Sequence, residues 1–156
     1  MMSMLEILTG VLSGPIAGML ARRLGTDEAT IRKAIAVALP LLIAALARNT
    51  STARGAKSLS GALARDHDGS LLDDVGAFVQ GGDAGDGEAI LGHVLGKRRA
   101  AAEVGISHQS GLDPQAVSQL MSMLAPLVLA YLGQQQRAQQ LDPGDLGDLL
   151  GKEEAN

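Results

Sequence analysis

Aromatic side chains are nearly absent from this chain, which limits the kinds of core it can build. Phe78 and Tyr131 are the only aromatic residues among 156. Hydrophobic residues still make up 46% of the sequence, so the core must consist of Ala, Leu, Ile, Val and Met. These side chains favour closely packed helices, whereas sheets favour β-branched and aromatic runs. The composition therefore predicts an all-α, multi-helix bundle.

Capping signals divide the chain into helices. Gly25 is suited to a left-handed helix end, and Thr26 is expected to cap the helix that follows. Asp113-Pro114 pairs a capping side chain with a residue favoured at the first helical position. Asp142-Pro143 repeats this signal and predicts a short helix within the C-terminal tail, residues 141–156.

Two long apolar segments each contain an internal proline, Pro40 in the first and Pro126 in the second. Proline removes a backbone hydrogen bond and clashes with the preceding turn, so a kink is expected in each helix. When the two prolines are aligned, Asp27 matches Asp113, and most of the apolar positions between also agree. The sequence therefore predicts two similar helical halves, each with a Pro-kinked central helix.

The predicted halves belong to one all-helical domain, residues 1–140, that precedes the C-terminal tail. Their approximate limits, and those of the segment that joins them, are 1–50, 88–136 and 51–87.

The apolar segments also raise the question of a membrane span. Ala34 to Ala47 and Leu120 to Gly133 are each 14 residues long, which gives ~21 Å of helix against a hydrocarbon core of ~30 Å. We therefore expect buried core helices and no membrane span. The first basic residue, Arg22, follows the N-terminal apolar stretch, which is the reverse of a signal peptide. With no cysteine in the chain, a cytoplasmic location is expected.

Five segments form a characteristic combination: Ala44–Thr50, Asp66–Asp74, Ile90–Gly96, Leu112–Pro114 and Leu124–Leu127. Together they resemble the YidB-like family of bacterial proteins, catalogued as domain of unknown function 937. The resemblance covers roughly residues 5–135 and implies an all-helical fold without implying a molecular function. The run around Asp66-His67-Asp68-Gly69 is its most specific part, and Lys97-Arg98-Arg99 departs from it.

Asp66-His67-Asp68-Gly69-Ser70 is the segment most similar to a metal site. An EF-hand calcium loop needs oxygen ligands at alternate positions and a final bidentate acid. With Gly69 as its central glycine, Ala64 occupies the first ligand position and Val75 the last. A tight turn before a capped helix therefore explains the segment better than calcium binding does.

The sequence contains no other combination of residues that predicts catalysis or cofactor binding. His67, His93 and His108 lie in separate segments. No two of them have the i,i+4 spacing that places two metal ligands on one helix face. The glycine-rich segment Gly81–Gly87 lacks the Gly-Lys-Ser/Thr ending of a phosphate-binding loop, so we interpret it as a flexible linker. We expect a non-catalytic protein without a metal or cofactor.

Short basic clusters leave DNA binding through paired helical modules as the alternative function. The formal net charge of −4 and the lack of a recognisable recognition helix disfavour it. The clusters are Arg22-Arg23, Arg32-Lys33 and Lys97-Arg98-Arg99.

The favoured function is self-association or binding to another protein. Large apolar residues surround most of both proline-containing helices, and the shorter helices offer limited cover for them. We therefore expect apolar surface to remain open for a second copy near Met121, Met123 and Tyr131.

Overall fold

A computed structural model describes residues 4–66, 75–81 and 85–155, and the prediction of an all-α fold is confirmed. Within these ranges the chain forms nine α-helices and no strand. A 3₁₀ turn, Gly96–Arg98, connects the sixth helix to the seventh. The helices are α1 (Met4–Leu12), α2 (Pro15–Leu24), α3 (Glu28–Asn49), α4 (Ala53–Asp66), α5 (Val75–Gly81), α6 (Gly85–Val94), α7 (Arg99–Ser110), α8 (Pro114–Gln139) and α9 (Pro143–Ala155).

Aspartates cap the two longest helices. Asp27 accepts a hydrogen bond of 2.7 Å from the backbone N–H of Thr30, so Asp27 is the N-cap of α3 and the prediction of Thr26 is wrong. Asp113 accepts one of 3.1 Å from the N–H of Gln115 at the start of α8. In both helices a carboxylate satisfies a free N–H group and lies at the positive end of the helix dipole.

The starts of α3 and α8 correspond, whereas their ends and surroundings differ. The helix before each one ends at a left-handed glycine, Gly25 with φ 71° and Gly111 with φ 81°. However, α3 has 22 residues and α8 has 26. Pro40 is exposed and Pro126 is buried, although both lie inside continuous helices. The repeat of two halves and the kinks therefore stay predictions.

Helix α8 forms the centre of the core. It contacts α2, α3, α4, α6 and α7, and residues 120–133 are buried without interruption. Helix α3 packs on α2, α7, α8 and α9, yet one side of it remains open to solvent. The two longest helices are thus buried to very different extents.

Two boundaries differ from the sequence-based prediction. The predicted linker Gly81–Gly87 is partly helical, because α5 ends at Gly81 and α6 begins at Gly85. The predicted short C-terminal helix extends to Ala155. Its Leu146 and Leu150 belong to the same buried cluster as the core of the other helices.

Candidate association surfaces

The surface predicted to bind a second copy is not open. Met121, Met123 and Tyr131 are only 0%, 3% and 9% exposed. All three lie in the continuously buried part of α8, which is covered by the surrounding helices. The prediction of open apolar surface at these residues is therefore wrong, because the shorter helices do suffice to wrap α8.

The residues considered for metal binding are not brought together where the structure describes them. His93, in α6, and His108, in α7, are both exposed. Asp66 is the last residue of α4, while His67, Asp68 and the rest of that turn lie outside the described residues. Across the described ranges, no group of three or more His, Asp or Glu side chains could hold a metal ion.

The basic cluster after α6 is partly used in internal contacts. Arg99 contacts Glu88 through Nη1 and Oε2 at 2.7 Å and Glu103 through Nε and Oε2 at 3.4 Å. Its Nη2 also donates to the Ser118 hydroxyl at 3.2 Å. The hydrogen bond from Arg99 lowers the pKa of Glu88 below its ordinary value of 4.5. Arg99 therefore joins α6, α7 and α8, whereas Lys97 and Arg98 are exposed.

Helix α9 carries its own N-terminal cap. The Asp145 N–H donates to Asp142 Oδ1 at 2.7 Å, and the Asp142 N–H donates to Asp145 Oδ2 at 3.3 Å. This reciprocal pair is a capping box, with Pro143 at the first helical position. The start of α9 is therefore stabilised by Asp145 within the helix and by Asp142 directly before it.

The apolar side of α9 packs on α3 and α4. Leu146 and Leu150 are fully buried there. A Cβ atom built on Gly147 would lie 3.1 Å from the Thr50 carbonyl oxygen and 3.9 Å from its Cβ. Thr50 is itself buried, and its hydroxyl donates to the carbonyls of Leu46 and Ala47. We call the surface of α3 and α4 that α9 covers the α9 site. It is a closely fitted contact, bordered by a cleft of about 730 Å³.

The connection between α8 and α9 is short. Before it, Gln136 Nε2 donates to the Ser60 carbonyl at 3.1 Å, and the Ser60 hydroxyl donates to Gln136 Oε1 at 2.8 Å. These bonds attach the end of α8 to α4. Only Gln140, Leu141 and Asp142 then separate α8 from α9, and Gln140 has left-handed backbone angles, φ 52° and ψ 50°.

A second surface lies on the solvent-facing side of α3 and on α7; we call it the outer face. The two helices border a cleft of about 600 Å³ whose lining includes Leu41, Ala44, Arg48, Arg98 and Ala101. The apolar residues of the outer face are Ala36, Val37, Pro40, Leu41 and Ala44 on α3 and Ala100, Ala101 and Val104 on α7. Its basic rim consists of Lys33, Arg48, Lys97 and Arg98.

Both α3 and α8 are long and apolar enough to cross a membrane, by length and composition alone. The bent pair α1 and α2 would add a third candidate if it counted as one span. The argument that the apolar segments are too short is therefore wrong, because the helices extend beyond them. However, 89% of the apolar window of α8 is buried inside the protein, against 50% for α3. The expectation of no membrane span stays a prediction.

Comparison with known proteins gives a family but no activity. Residues 6–135 match the family model described as "Bacterial protein of unknown function (DUF937)". No curated protein and no solved structure matches the chain. The match covers α3 and α7, the two helices of the outer face, and α8 as far as residue 135, and it ends before α9. The chain therefore belongs to the DUF937 family of bacterial proteins, as the resemblance in its sequence predicted.

Proposed function

We propose that this protein is a non-catalytic helical protein that functions through self-association, and that two copies join by exchanging α9. In the exchanged dimer, α9 of each copy occupies the site on α3 and α4 of the other. The observation that carries the proposal is the α8–α9 connection, which joins a self-capped helix to the core through three residues.

The connection favours exchange because it is short and strained. A non-glycine residue in the left-handed region costs about 1 kcal/mol or more, and Gln140 adopts this conformation to turn α9 back onto its own chain. Short hinges under strain promote domain swapping. When α9 leaves, Gln140 can adopt ordinary backbone angles.

Pro143 determines how the connection can open. Proline inside a helix costs about 3 kcal/mol, which disfavours the merging of α8 and α9 into one continuous helix. The residue before a proline also prefers extended backbone, which maintains Asp142 as a helix cap. We therefore expect the open hinge to be extended over residues 140–142, with α9 intact on the far side.

Exchange retains the contacts that hold α9 in place. Burial of Leu146 and Leu150 contributes roughly 1.5–3 kcal/mol each, and the same leucines fill the same site in a partner copy. The exchange therefore gains the relief of Gln140 at the cost of bringing two molecules together. That balance makes the dimer dependent on protein concentration.

The solution mass of the full chain tests this proposal. At tens of micromolar we expect light scattering to give twice the chain mass of 16.0 kDa. Leu150→Glu places a charge in the α9 site, so it should shift the protein to monomer. Gly151→Glu is the matched control, because Gly151 is exposed with open space around its Cβ position.

Circular dichroism of each variant shows whether the helices remain formed. A wild-type monomer at this concentration would rule out the proposal. A Leu150→Glu protein that remains as dimeric as the wild type would do the same, because the association would then not require the α9 site.

A further inference from the structure

We propose that the outer face of α3 and α7 is a docking surface for an anionic lipid bilayer, on which the protein lies without crossing it. The proposal does not depend on self-association, because α9 contributes no residue to the outer face. It assigns a second binding partner, a lipid surface, to a part of the molecule that the exchange leaves open.

The apolar part of the outer face lies on two neighbouring helices. On α3 its residues recur every three or four positions from Ala36 to Ala44, so they form one stripe. On α7, Val104 is 52% exposed, which is the highest value for a large apolar side chain among the described residues. The cleft between Leu41 and Ala101 joins the two stripes at one opening. Apolar side chains that reach the surface around one cleft make this face a candidate interaction site.

Four exposed positive side chains border the outer face. Lys33 and Arg48 lie on the same side of α3 as its apolar stripe. Lys97 and Arg98 are exposed in the 3₁₀ turn directly before α7. Within the described ranges, none of these four takes part in an ion pair, in contrast to Arg32 and Arg99. Four exposed positive groups around an apolar centre complement negatively charged lipid headgroups above an acyl layer.

The packing favours a surface-bound helix over a membrane-spanning one. Half of the apolar window of α3 is already buried by its own chain, mainly against α2, α7 and α9. To span a bilayer, α3 would have to lose these contacts, whereas its exposed half can enter the interface with every helix in place. A protein partner is less favoured, because the outer face lacks the aromatic and methionine side chains in which protein interfaces are enriched.

Co-sedimentation of the full chain with vesicles tests the proposal. We expect binding to vesicles of equal parts phosphatidylglycerol and phosphatidylcholine, and little binding to phosphatidylcholine alone. Binding should weaken when salt rises from about 50 to 500 mM, since the Debye length falls several-fold. Lys97→Gln/Arg98→Gln should weaken it roughly 25-fold, or about fivefold for each lost charge.

Val104→Glu separates the apolar contribution from the charges. It should lower vesicle binding at least tenfold and leave the helix content unchanged, because Val104 is already half-exposed. Ala138→Glu, at an exposed position near the end of α8, is the matched control and should bind like the wild type. Equal binding to both vesicle types, or wild-type binding by Val104→Glu, would overturn the proposal. Binding of an acidic helical peptide without vesicle binding would also overturn it.

Discussion

Gln140 shows how a single backbone conformation bears on the proposed association. It is the one non-glycine residue with positive φ in the part of the chain that the structure describes. Its N–H donates to the Gln136 carbonyl, and the Leu141 N–H donates to the same oxygen at 3.0 Å. Glycine is the usual residue at this kind of helix end because it has no Cβ to strain.

Replacing Gln140 by glycine should therefore stabilise the closed chain and oppose the exchange. We expect Gln140→Gly to raise the free energy of unfolding of the monomer by about 1 kcal/mol. Dissociation of the dimer, followed by light scattering over a dilution series, should become easier by several-fold or more. An unchanged dissociation constant would mean that the strain at Gln140 does not drive the association.

Sequence reasoning succeeded where a residue acts through its own backbone. Gly25 adopts the left-handed conformation expected of a helix end, because the preference lies in glycine itself. It failed for Thr26, since two neighbouring residues could both cap α3 and only the path of the chain selects Asp27. Gln140 carried no signal at all, because no local preference places glutamine in this conformation.

At the scale of elements, the contact between α6 and α8 explains why a predicted linker is helical. A Cβ on Gly87 would lie 1.7 Å from the Ser122 carbonyl oxygen, so the two helices approach each other at a distance that only glycine permits. Sequence reasoning treated the glycines of this segment as a source of flexibility. The use of Gly87 for close packing depends on a helix 35 residues away and has no local signature.

Gly87→Ala should destabilise the protein through this contact. The added methyl group cannot fit without moving one helix, so we expect a loss of about 1–3 kcal/mol in thermal or chemical unfolding. Gly92→Ala is the control in the same helix, because a Cβ there has no atom within 4 Å and alanine has the higher helix propensity. Equal stabilities for the two variants would show that α6 does not pack closely on α8.

For the whole molecule, the sequence predicted that apolar surface would stay open, but it could not predict whether α3 or α8 would carry it. The apolar residues of α3 and α8 spread around both helices, which indicated that some surface would stay open. The sequence placed this surface at Met123, yet α8 is enclosed and the open side belongs to α3, where Pro40 is exposed. Which helix is enclosed depends on how all the short helices pack, and no local pattern contains that information.

The family boundary also matters at this scale. The DUF937 match ends at residue 135, and α9 adds a further helix that fills a site on α3 and α4. The two proposed surfaces are separate, because the outer face is open to solvent whereas the site on α3 and α4 is covered by α9. Association through α9 and lipid binding through the outer face can therefore be measured separately, each with variants that leave the other unchanged.

The central proposal is tested most directly by a disulfide between two different copies. The chain contains no cysteine, and the 3.9 Å between the Thr50 Cβ and a Cβ on Gly147 falls in the range of disulfides, about 3.5–4.5 Å. A chain that carries both substitutions, Thr50→Cys and Gly147→Cys, should form the disulfide. That bond shows that α9 packs beside position 50. Gly151→Cys provides a matched control for random collision.

Thr50→Cys and Gly147→Cys proteins would be mixed at tens of micromolar, allowed to exchange, oxidised, and analysed by mass spectrometry under denaturing conditions. The exchange of α9 predicts a covalent heterodimer linked through Cys at 50 and Cys at 147, well above the yield for Thr50→Cys with Gly151→Cys. A bond that forms in the double variant within one chain, but never between the two single variants, would contradict the exchange.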